Sequence, residues 1–331
     1  MSRRTFLLGG AAAVASAAAA LRLGSVGGGP TEWDSSAFPP PGLARVAVLR
    51  ASGYDGGLER IVEDGLRAIG AEVRGASVLL KPNLVEFEAG TPINTDPRLV
   101  AATVLALRSL GAAAVTVGEG PGHRRDTEYV LTRSGFDDAL KSVAAPFVDL
   151  NTDAIVERRL HSRFTTLERL WLPRSVVDAD LVISMPKMKT HHWAGATLSL
   201  KNCFGCVPGR VYGWPKNALH FAGLEQAIVD VAAAVRADLA IVDGIVGMEG
   251  NGPITGTGVA SGVLVFGNDP VATDTIAATL MGIEPSRLGY LDLAARFLGQ
   301  GDRARIRTEG EEVDGEVVRF DLLPEFAYLR A

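Results

Sequence analysis

The sequence predicts an α/β fold, with a mainly parallel sheet that is covered by helices on both faces. The first observation is that short apolar segments alternate with longer segments of helical spacing between about residues 44 and 281. The second is that several apolar segments end in polar clusters, such as Lys81-Pro82-Asn83. Alternating strands and helices form parallel sheets, and ligands bind outside the carboxyl ends of their strands. We therefore expect the functional site at the C-terminal edge of the sheet.

Each element follows from a local pattern. Strands are predicted where short runs are apolar, and helices where apolar residues recur every three or four positions. Thr95 or Asp96 before Pro97 is typical of a helix start, because the side chain caps the free N–H groups and proline fits the first turn. The predicted strands cover residues 45–49, 77–80, 114–117, 147–150, 155–160, 181–185, 239–242 and 262–266. The predicted helices cover residues 58–69, 97–110, 128–141, 219–235 and 270–281.

The first 25 residues are typical of a Tat signal peptide. Arg3 and Arg4 precede an alanine-rich apolar run over residues 7–21, and twin arginines in this position address a chain to the Tat translocase. The run is weakly apolar and shorter than the roughly 20 residues that a membrane span needs. We expect export to the periplasm or cell exterior with no stable span in the mature chain. After the signal peptide we expect a Gly- and Pro-rich linker over residues 26–43 and one domain over residues 44–331.

Lysine is used sparingly and locally. All but six of the 33 Lys and Arg residues are arginine, yet four of the lysines lie within residues 187–220. Lysine is a compact charge that can lose its proton when buried, whereas arginine is a fixed planar cation. We interpret this concentration as a functional site, with a solvated loop after a strand as the alternative. The net charge of −5 gives no basic surface for nucleic acid.

The candidate site residues follow the predicted strands. Ammonium groups would bind an anionic substrate, and an imidazole or carboxylate would move a proton. The candidate catalytic residues are Lys187, Lys189, His191 and Glu119. The candidate substrate-binding residues are Lys81, Asn83, Lys201, Asn202, Gly250, Asn251 and Gly252. The carboxylates that could hold a divalent metal, the cofactor we consider, are Glu119, Asp243 and Glu249.

Two further motifs carry open alternatives. Glycines at 250 and 252 let backbone amides approach an anion, but the spacing fits neither a P-loop nor a dinucleotide fingerprint. A connecting loop is the alternative. Cys203 and Cys206 have the spacing of a redox or metal pair. In an exported protein we expect them to form a disulfide that the fold does not require, and two small buried residues are the alternative.

The chain resembles the DUF362 family over about residues 45–281. The motifs that carry the resemblance include Lys81-Pro82-Asn83, Gly118-Glu119-Gly120, Pro186-Lys187-Met188-Lys189, Leu200-Lys201-Asn202, Glu249-Gly250-Asn251-Gly252 and Asp269-Pro270. The resemblance implies no settled reaction. Some members carry a ferredoxin-like segment with iron–sulfur cysteines, which this chain lacks.

Three functions are compatible with these motifs. The main hypothesis is an exported enzyme that acts on a small anionic substrate, with Lys81, Lys187, Lys189 and Lys201 facing one cleft. The alternative is a binding protein for an anionic ligand or for a metal or iron–sulfur cofactor, and the third is a thiol-redox protein. The sequence contains no Gly-x-Ser-x-Gly elbow and no His-Glu-x-x-His helix, which disfavours serine hydrolases and zincins.

Overall fold

The computed structural model describes residues 32–122, 126–214 and 216–330. The predicted signal peptide lies outside these residues, as does the first part of the predicted linker. The strands are β1 (Ala44–Arg50), β2 (Ser77–Pro82), β3 (Ala114–Glu119), β4 (Phe147–Asp149), β5 (Ile155–Arg159), β6 (Arg169–Pro173), β7 (Leu181–Met185), β8 (Lys187–His191), β9 (Gly195–Thr197), β10 (Leu239–Glu249), β11 (Thr257–Gly267) and β12 (Ile306–Gly310). The helices are α1 (Leu58–Ala68), α2 (Pro97–Ser109), α3 (Thr127–Arg133), α4 (Phe136–Ser142), α5 (Arg174–Asp178), α6 (Ser199–Asn202), α7 (Gly209–Tyr212), α8 (Asn217–Phe221), α9 (Leu224–Val235), α10 (Pro270–Leu280) and α11 (Gly289–Ala295).

A ten-stranded sheet forms the centre of the molecule. Its strand order is β12-β1-β11-β10-β7-β2-β3-β4, with β8 paired to β10 and β9 paired to β8. The pairs from β10 through β7, β2 and β3 to β4 are all parallel, whereas β11 is antiparallel to both β1 and β10. The prediction of a mainly parallel α/β sheet is therefore confirmed.

Helices cover both faces of this sheet. Successive side chains of a strand point to opposite faces, and on β2 Leu79 belongs to one apolar cluster while Val78 and Leu80 belong to the other. The cluster that contains Leu79 includes residues of α9, α10 and α11, and the second includes residues of α1, α2 and α4. Two apolar faces explain why the strands are apolar at nearly every position.

Two predicted helices are each divided in the structure. The helix predicted over residues 128–141 is split into α3 and α4 at Gly135, and the helix predicted over residues 219–235 is split into α8 and α9 at Gly223. Both glycines have positive φ angles, 76° and 100°, which a helix does not contain. Residues 155–159 form a strand as expected, but it pairs with β6 in a separate two-stranded antiparallel sheet.

The polar residues after β7 form a strand and not a loop. Strand β8 pairs with β10 in parallel and with β9 in antiparallel orientation, and all five of its residues are buried. Strand β10 is also longer than predicted, so Asp243 lies within it and not after it. Pairing with β9 and β10 provides partners for backbone groups of this buried segment.

Residues 32–43, which are part of the predicted linker, pack against the domain. Trp33 stacks on Phe297 with ring centroids 4.9 Å apart, and Phe38 meets the same ring edge-on at 4.8 Å. Phe38 is buried. The aromatic side chains anchor this segment to the domain, which the Gly and Pro content of the segment did not reveal. No helix of the described ranges combines the length and apolar character needed to cross a membrane.

Candidate functional site

A cavity of about 280 Å³ lies at the carboxyl ends of β2 and β3, beside β8 and the segment from α6 to α8. Most of its ionisable lining groups are basic. The basic groups are Lys189, Lys201, Lys216, His191, His192 and His220, and the acidic group is Glu119. Leu84, Val85, Trp193, Phe204 and Ile254 supply apolar lining. The cavity therefore offers cations together with an apolar wall.

Glu119, the one carboxylate among the described lining residues, is already engaged in hydrogen bonds. Its oxygens accept from the Lys81 ammonium at 2.6 Å, from the Leu84 N–H at 3.1 Å and from the Gly120 N–H at 2.8 Å. Both side chains of the ion pair are buried. A buried pair is maintained when hydrogen bonds satisfy its remaining valences, as they do here. Glu119 thus neutralises Lys81 and leaves the other lysines without a carboxylate partner among the lining residues.

Asn202 ties this ion pair to the strands. Its side-chain amide donates to the Lys81 carbonyl and to the Ser184 hydroxyl at 3.1 Å each, and its oxygen accepts from the Lys81 ammonium at 3.1 Å. The short helix α6 that carries Asn202 is in turn held by Asp274, which accepts from the N–H groups of Ser199 and Leu200 at 2.7 and 2.9 Å. The segment is therefore rigidly positioned against the sheet.

Gly205 is required by the same contact. A Cβ atom built on it would overlap the Glu119 carboxylate and lie 2.6 Å from the Lys81 ammonium. Only glycine lets the backbone approach the ion pair this closely.

Lys189 and Lys216 are bound by backbone carbonyl groups. Lys189 donates to the Ile93 carbonyl at 2.7 Å, and Lys216 donates to the Gly120 carbonyl at 2.6 Å. Burial, reinforced by Lys201 and Lys187, lowers the pKa of Lys189 well below its ordinary value. Burial likewise lowers the pKa of Lys216 to about 8, although Glu119 opposes the shift. Lys216 also has a positive φ of 68°, a conformation that is uncommon for lysine.

Lys201 differs from these two because its ammonium has no hydrogen-bond or ion-pair partner in the described part of the chain. The nitrogen lies over the Phe204 ring, 4.9 Å from its centroid. Burial, followed by the charges of Lys216 and Lys81, lowers the pKa of Lys201 to about 8. A partnerless amine that loses its proton near neutral pH is available for binding or reaction.

Two stacked imidazoles have complementary proton positions. Nδ1 of His191 accepts from the N–H groups of Trp193 and Ala194 at 3.0 and 3.2 Å, so its neutral ring carries the proton on Nε2. Nδ1 of His192 lies 2.7 Å from the Gly252 carbonyl and must donate to it, so the neutral form of this ring has its lone pair on Nε2. Burial lowers the pKa of His191 well below its ordinary value and keeps that ring neutral. One ring is therefore a hydrogen-bond donor and the other is a base.

Aromatic side chains surround these groups. Trp193, which is 61% exposed, meets His220 edge-on with ring centroids 5.6 Å apart, and Phe204 meets His220 at 5.4 Å. Nδ1 of His220 lies 3.1 Å from the Lys216 carbonyl, and burial lowers the pKa of this ring. The rim thus presents aromatic surface next to the cations.

Two lining oxygens have no hydrogen-bond partner among the residues that the structure describes. They are Asn83 Oδ1 and Thr197 Oγ1, on side chains that are 7% and 4% exposed. An unpaired buried polar atom costs about 1–3 kcal/mol. A ligand that brings its own hydroxyl or amino groups would remove that cost.

Two comparisons show the family. The model of the DUF362 family, a domain of unknown function, matches residues 78–279. A thylakoid-associated protein of Synechocystis is 31% identical over 255 residues, which make up 73% of this chain and 76% of the relative. The chain belongs to the DUF362 family. The matched region of this DUF362 domain contains Glu119, the lysines at 81, 189, 201 and 216, and the loop with Gly250 and Gly252.

Two solved structures align with part of this chain. The lactate racemase apoprotein from Thermoanaerobacterium thermosaccharolyticum aligns with a TM-score of 0.42 and 14% identity, over 69% of this chain and 55% of that one. A protein from Thermotoga maritima aligns with a TM-score of 0.33 and 13% identity, over 65% and 56% of the two chains. This chain therefore spans little more than half the length of either structure.

The DUF362 domain does not bring Lys187 into the cavity. The Lys187 ammonium lies 2.6 Å from Asp243 and 2.9 Å from the Tyr54 hydroxyl, and it borders a separate cavity. Strand β8 pairs Lys187 with Asp243 but Lys189 with Met248, and this irregularity separates the two lysines. The expectation that Lys81, Lys187, Lys189 and Lys201 all face one cleft is therefore wrong for Lys187. Lys189 and Lys201 line the cavity, and Lys81 is paired with the lining residue Glu119. Lys216, which was not predicted, is the third lysine that lines the cavity.

The three predicted metal carboxylates are not brought together. Glu119 is paired with Lys81, Asp243 with Lys187, and Glu249 accepts from the Asp321 N–H at 2.8 Å. Within residues 32–122, 126–214 and 216–330 no group of three or more His, Cys, Asp or Glu side chains is arranged to hold a metal. Within the described part of the chain, the three carboxylates considered as metal ligands therefore do not form a common site.

The glycine-rich loop that contains Gly250 and Gly252 contacts residues next to the cavity. Gly250 accepts from the Thr190 hydroxyl at 2.8 Å, and Gly252 accepts from the His192 N–H at 2.9 Å. A Cβ atom on Gly252 would overlap the Thr190 carbonyl, so the close approach requires glycine. Asn251 is exposed. The loop therefore positions His192 and places Pro253 and Ile254 on the cavity wall.

The two cysteines are free thiols, which contradicts the predicted disulfide. Both are buried in a 3₁₀ turn, and the Cys203 thiol donates to the Ser199 carbonyl at 3.4 Å. Burial raises the pKa of Cys206 to about 12 and that of Cys203 further still. Because the thiolate is the reactive form, these residues are suited to packing and not to redox chemistry.

Sequence reasoning left four groups of the site unassigned: His192, Lys216, His220 and Thr197. All four lie within residues 187–220, and the concentration of lysine and histidine there was a signal for the first three. The roles of His192 and His220 follow from the hydrogen bonds of their Nδ1 atoms, and the role of Lys216 follows from its contacts with backbone carbonyl groups. These contacts depend on tertiary structure and could not be read from the sequence.

Proposed function

We propose that this protein is an exported enzyme that acts on a small anionic substrate in the cavity of Lys189, Lys201 and Lys216. The excess of cations carries the proposal, because the one carboxylate among the described lining residues is already paired with Lys81. Cations in a partly desolvated cleft attract anions, and lysine is a frequent partner of phosphate. A volume of about 280 Å³ suits a small molecule.

The paired imidazoles support catalysis in addition to binding. Neutral His191 can donate from Nε2 to a substrate oxygen, as its Nδ1 is occupied by two backbone N–H groups. His192 can accept a proton at Nε2, since its Nδ1 is committed to the Gly252 carbonyl. A donor beside a base is the arrangement that removes a proton from carbon next to a polarised carbonyl or carboxylate.

Hydrogen exchange tests this without knowledge of the full reaction. The mature protein is incubated in D₂O with a panel of small carboxylates and phosphate esters, and loss of C–H signal is followed by NMR. We expect exchange in at least one compound, unchanged in the Lys141→Gln control and strongly reduced in His192→Gln, which keeps a donor for the Gly252 carbonyl.

Two results would contradict the proposal in different ways. If calorimetry shows that panel anions bind but neither exchange nor product follows, the protein binds its ligand without turnover. If no panel anion binds, the assignment of the cavity to anions is wrong.

A further inference from the structure

Lys201 is the lysine of the cavity that is free to react. Among the described residues its nitrogen has no polar partner, and it is only partly buried. The other lysines near the cavity donate at 2.6–2.7 Å: Lys81 to Glu119, Lys189 to the Ile93 carbonyl and Lys216 to the Gly120 carbonyl.

The backbone of Lys201 is fixed more firmly than its side chain. Asp274 caps the preceding two residues, and Asn202 is clamped between Lys81 and Ser184. A reactive group on a rigid element meets its substrate in a defined position, which lowers the entropy lost on reaction. The flexible stem of Lys201 can then swing its amine between the Phe204 ring and a bound ligand.

The neighbouring cations favour the neutral amine of Lys201. Burial and the charges of Lys216 and Lys81 lower its pKa to about 8, so an appreciable fraction is unprotonated near neutral pH. A desolvated lysine next to other cations is a common way to activate an amine as a nucleophile.

We propose that Lys201 forms an imine with an oxo acid, a compound that carries a carbonyl group beside the anionic group held by Lys189 and Lys216. This inference rests on the proposed function, because the same cations must first bind the anion. The amine lone pair attacks the carbonyl carbon and gives a carbinolamine. That intermediate loses water to form the C=N bond, so the step consumes one carbonyl compound, releases one water and needs no oxidant or reductant.

Other groups of the cavity suit the carbinolamine. Its hydroxyl can donate to the unpartnered Asn83 Oδ1, and His191 can donate from Nε2 to the carbonyl oxygen while the amine attacks. Both groups line the same cavity as Lys201. An oxo acid thereby uses both the cations and an otherwise unpaired oxygen.

Reductive trapping tests the inference. Glyoxylate or pyruvate is added at pH 8 with sodium cyanoborohydride, and intact mass and peptide mapping locate the adduct. We expect one adduct on Lys201 in the wild-type protein and in Lys141→Arg, and none in Lys201→Arg, which keeps the charge but cannot form the imine. Excess sulfate should compete with trapping, because it has no carbonyl but occupies the anion site.

The outcomes separate the two proposals. Adducts confined to Lys141 or the N-terminal amine, or equal labelling of Lys201→Arg, would overturn the imine. If calorimetry shows that pyruvate binds to wild type and to Lys201→Arg but Lys201 is not trapped, the imine is wrong and the anion site stands. If neither oxo acid binds, the imine is wrong, and the panel of carboxylates and phosphate esters decides separately whether the anion site stands. Peptide mapping of the wild-type protein gives this answer even if the variant does not fold.

Discussion

Lys201 and Lys216 are expected to lose their protons at lower pH than surface lysines do. Burial lowers the pKa of each to about 8 from an ordinary 10.5, within a cluster that also contains Lys81, Lys189, His191 and His220. The affinity for a small anion should therefore fall as the pH rises through 8. The folded state binds fewer protons than the unfolded state between pH 8 and 10.5, so these two groups make the ligand-free protein more stable as pH rises across that window. Calorimetric titration with phosphate at pH 7 and 9.5 measures the first effect, and an affinity that is equal at both pH values would oppose it.

The thiols of Cys203 and Cys206 provide a second test at this scale. Because burial raises the pKa of both groups, iodoacetamide at pH 8 should label neither in the native protein. Both should react once the chain is unfolded in denaturant without reductant, as both are free. Mass spectrometry counts the added groups, and unfolded protein that reacts only after reduction would show that a disulfide is present.

At the scale of the elements, strand β8 divides its lysines between two environments. Lys187 is paired with buried Asp243, and removal of one partner of such a pair typically costs about 3–5 kcal/mol. Asp243→Asn should therefore lower the free energy of unfolding by about this amount. The double change Lys187→Met with Asp243→Leu should cost less than the sum of the two single changes, because neither charge is then left unpaired.

Urea unfolding measures these changes, and phosphate titration supplies the control. The affinity for phosphate should stay near the wild-type value in Lys187→Met, since this lysine does not line the anion cavity. A large loss of phosphate affinity in a folded Lys187→Met protein would show that Lys187 contributes to the anion site, which would contradict this assignment.

Strand β8 is also the element that could not be predicted from the sequence. Strands β2, β3 and β7 were predictable because apolar runs between turn residues are typical of buried parallel strands. Residues 187–191 carry two lysines, a threonine and a histidine, and only their pairing with β10 and β9 makes them a strand. The site residues at the ends of β2 and β3 were predictable from topology. The separation of Lys187 from Lys189 was not, because it arises from an irregular register with β10.

For the whole molecule, the predicted Tat export concerns residues outside the described structure. The twin arginines at 3 and 4 are the feature that the translocase would read. Replacing both by lysine should leave the protein in the cytoplasm while preserving the positive charge. Cell fractionation with immunoblotting measures this, and a double variant that still reaches the exterior would contradict export by this route.

The central claim for the whole molecule is that the cavity binds a small anion through lysines that have no carboxylate partner among the described lining residues. The most direct measurement is the free energy of unfolding with phosphate or with chloride at equal ionic strength, for wild type, Lys201→Met and the matched control Lys141→Met. Phosphate at about a hundred times its Kd should stabilise wild type and the control by about 2.7 kcal/mol. Lys201→Met should lose about 1.4 kcal/mol or more of that stabilisation, which corresponds to a roughly tenfold weaker Kd. Equal stabilisation of all three proteins, or none beyond that given by chloride, would contradict the claim.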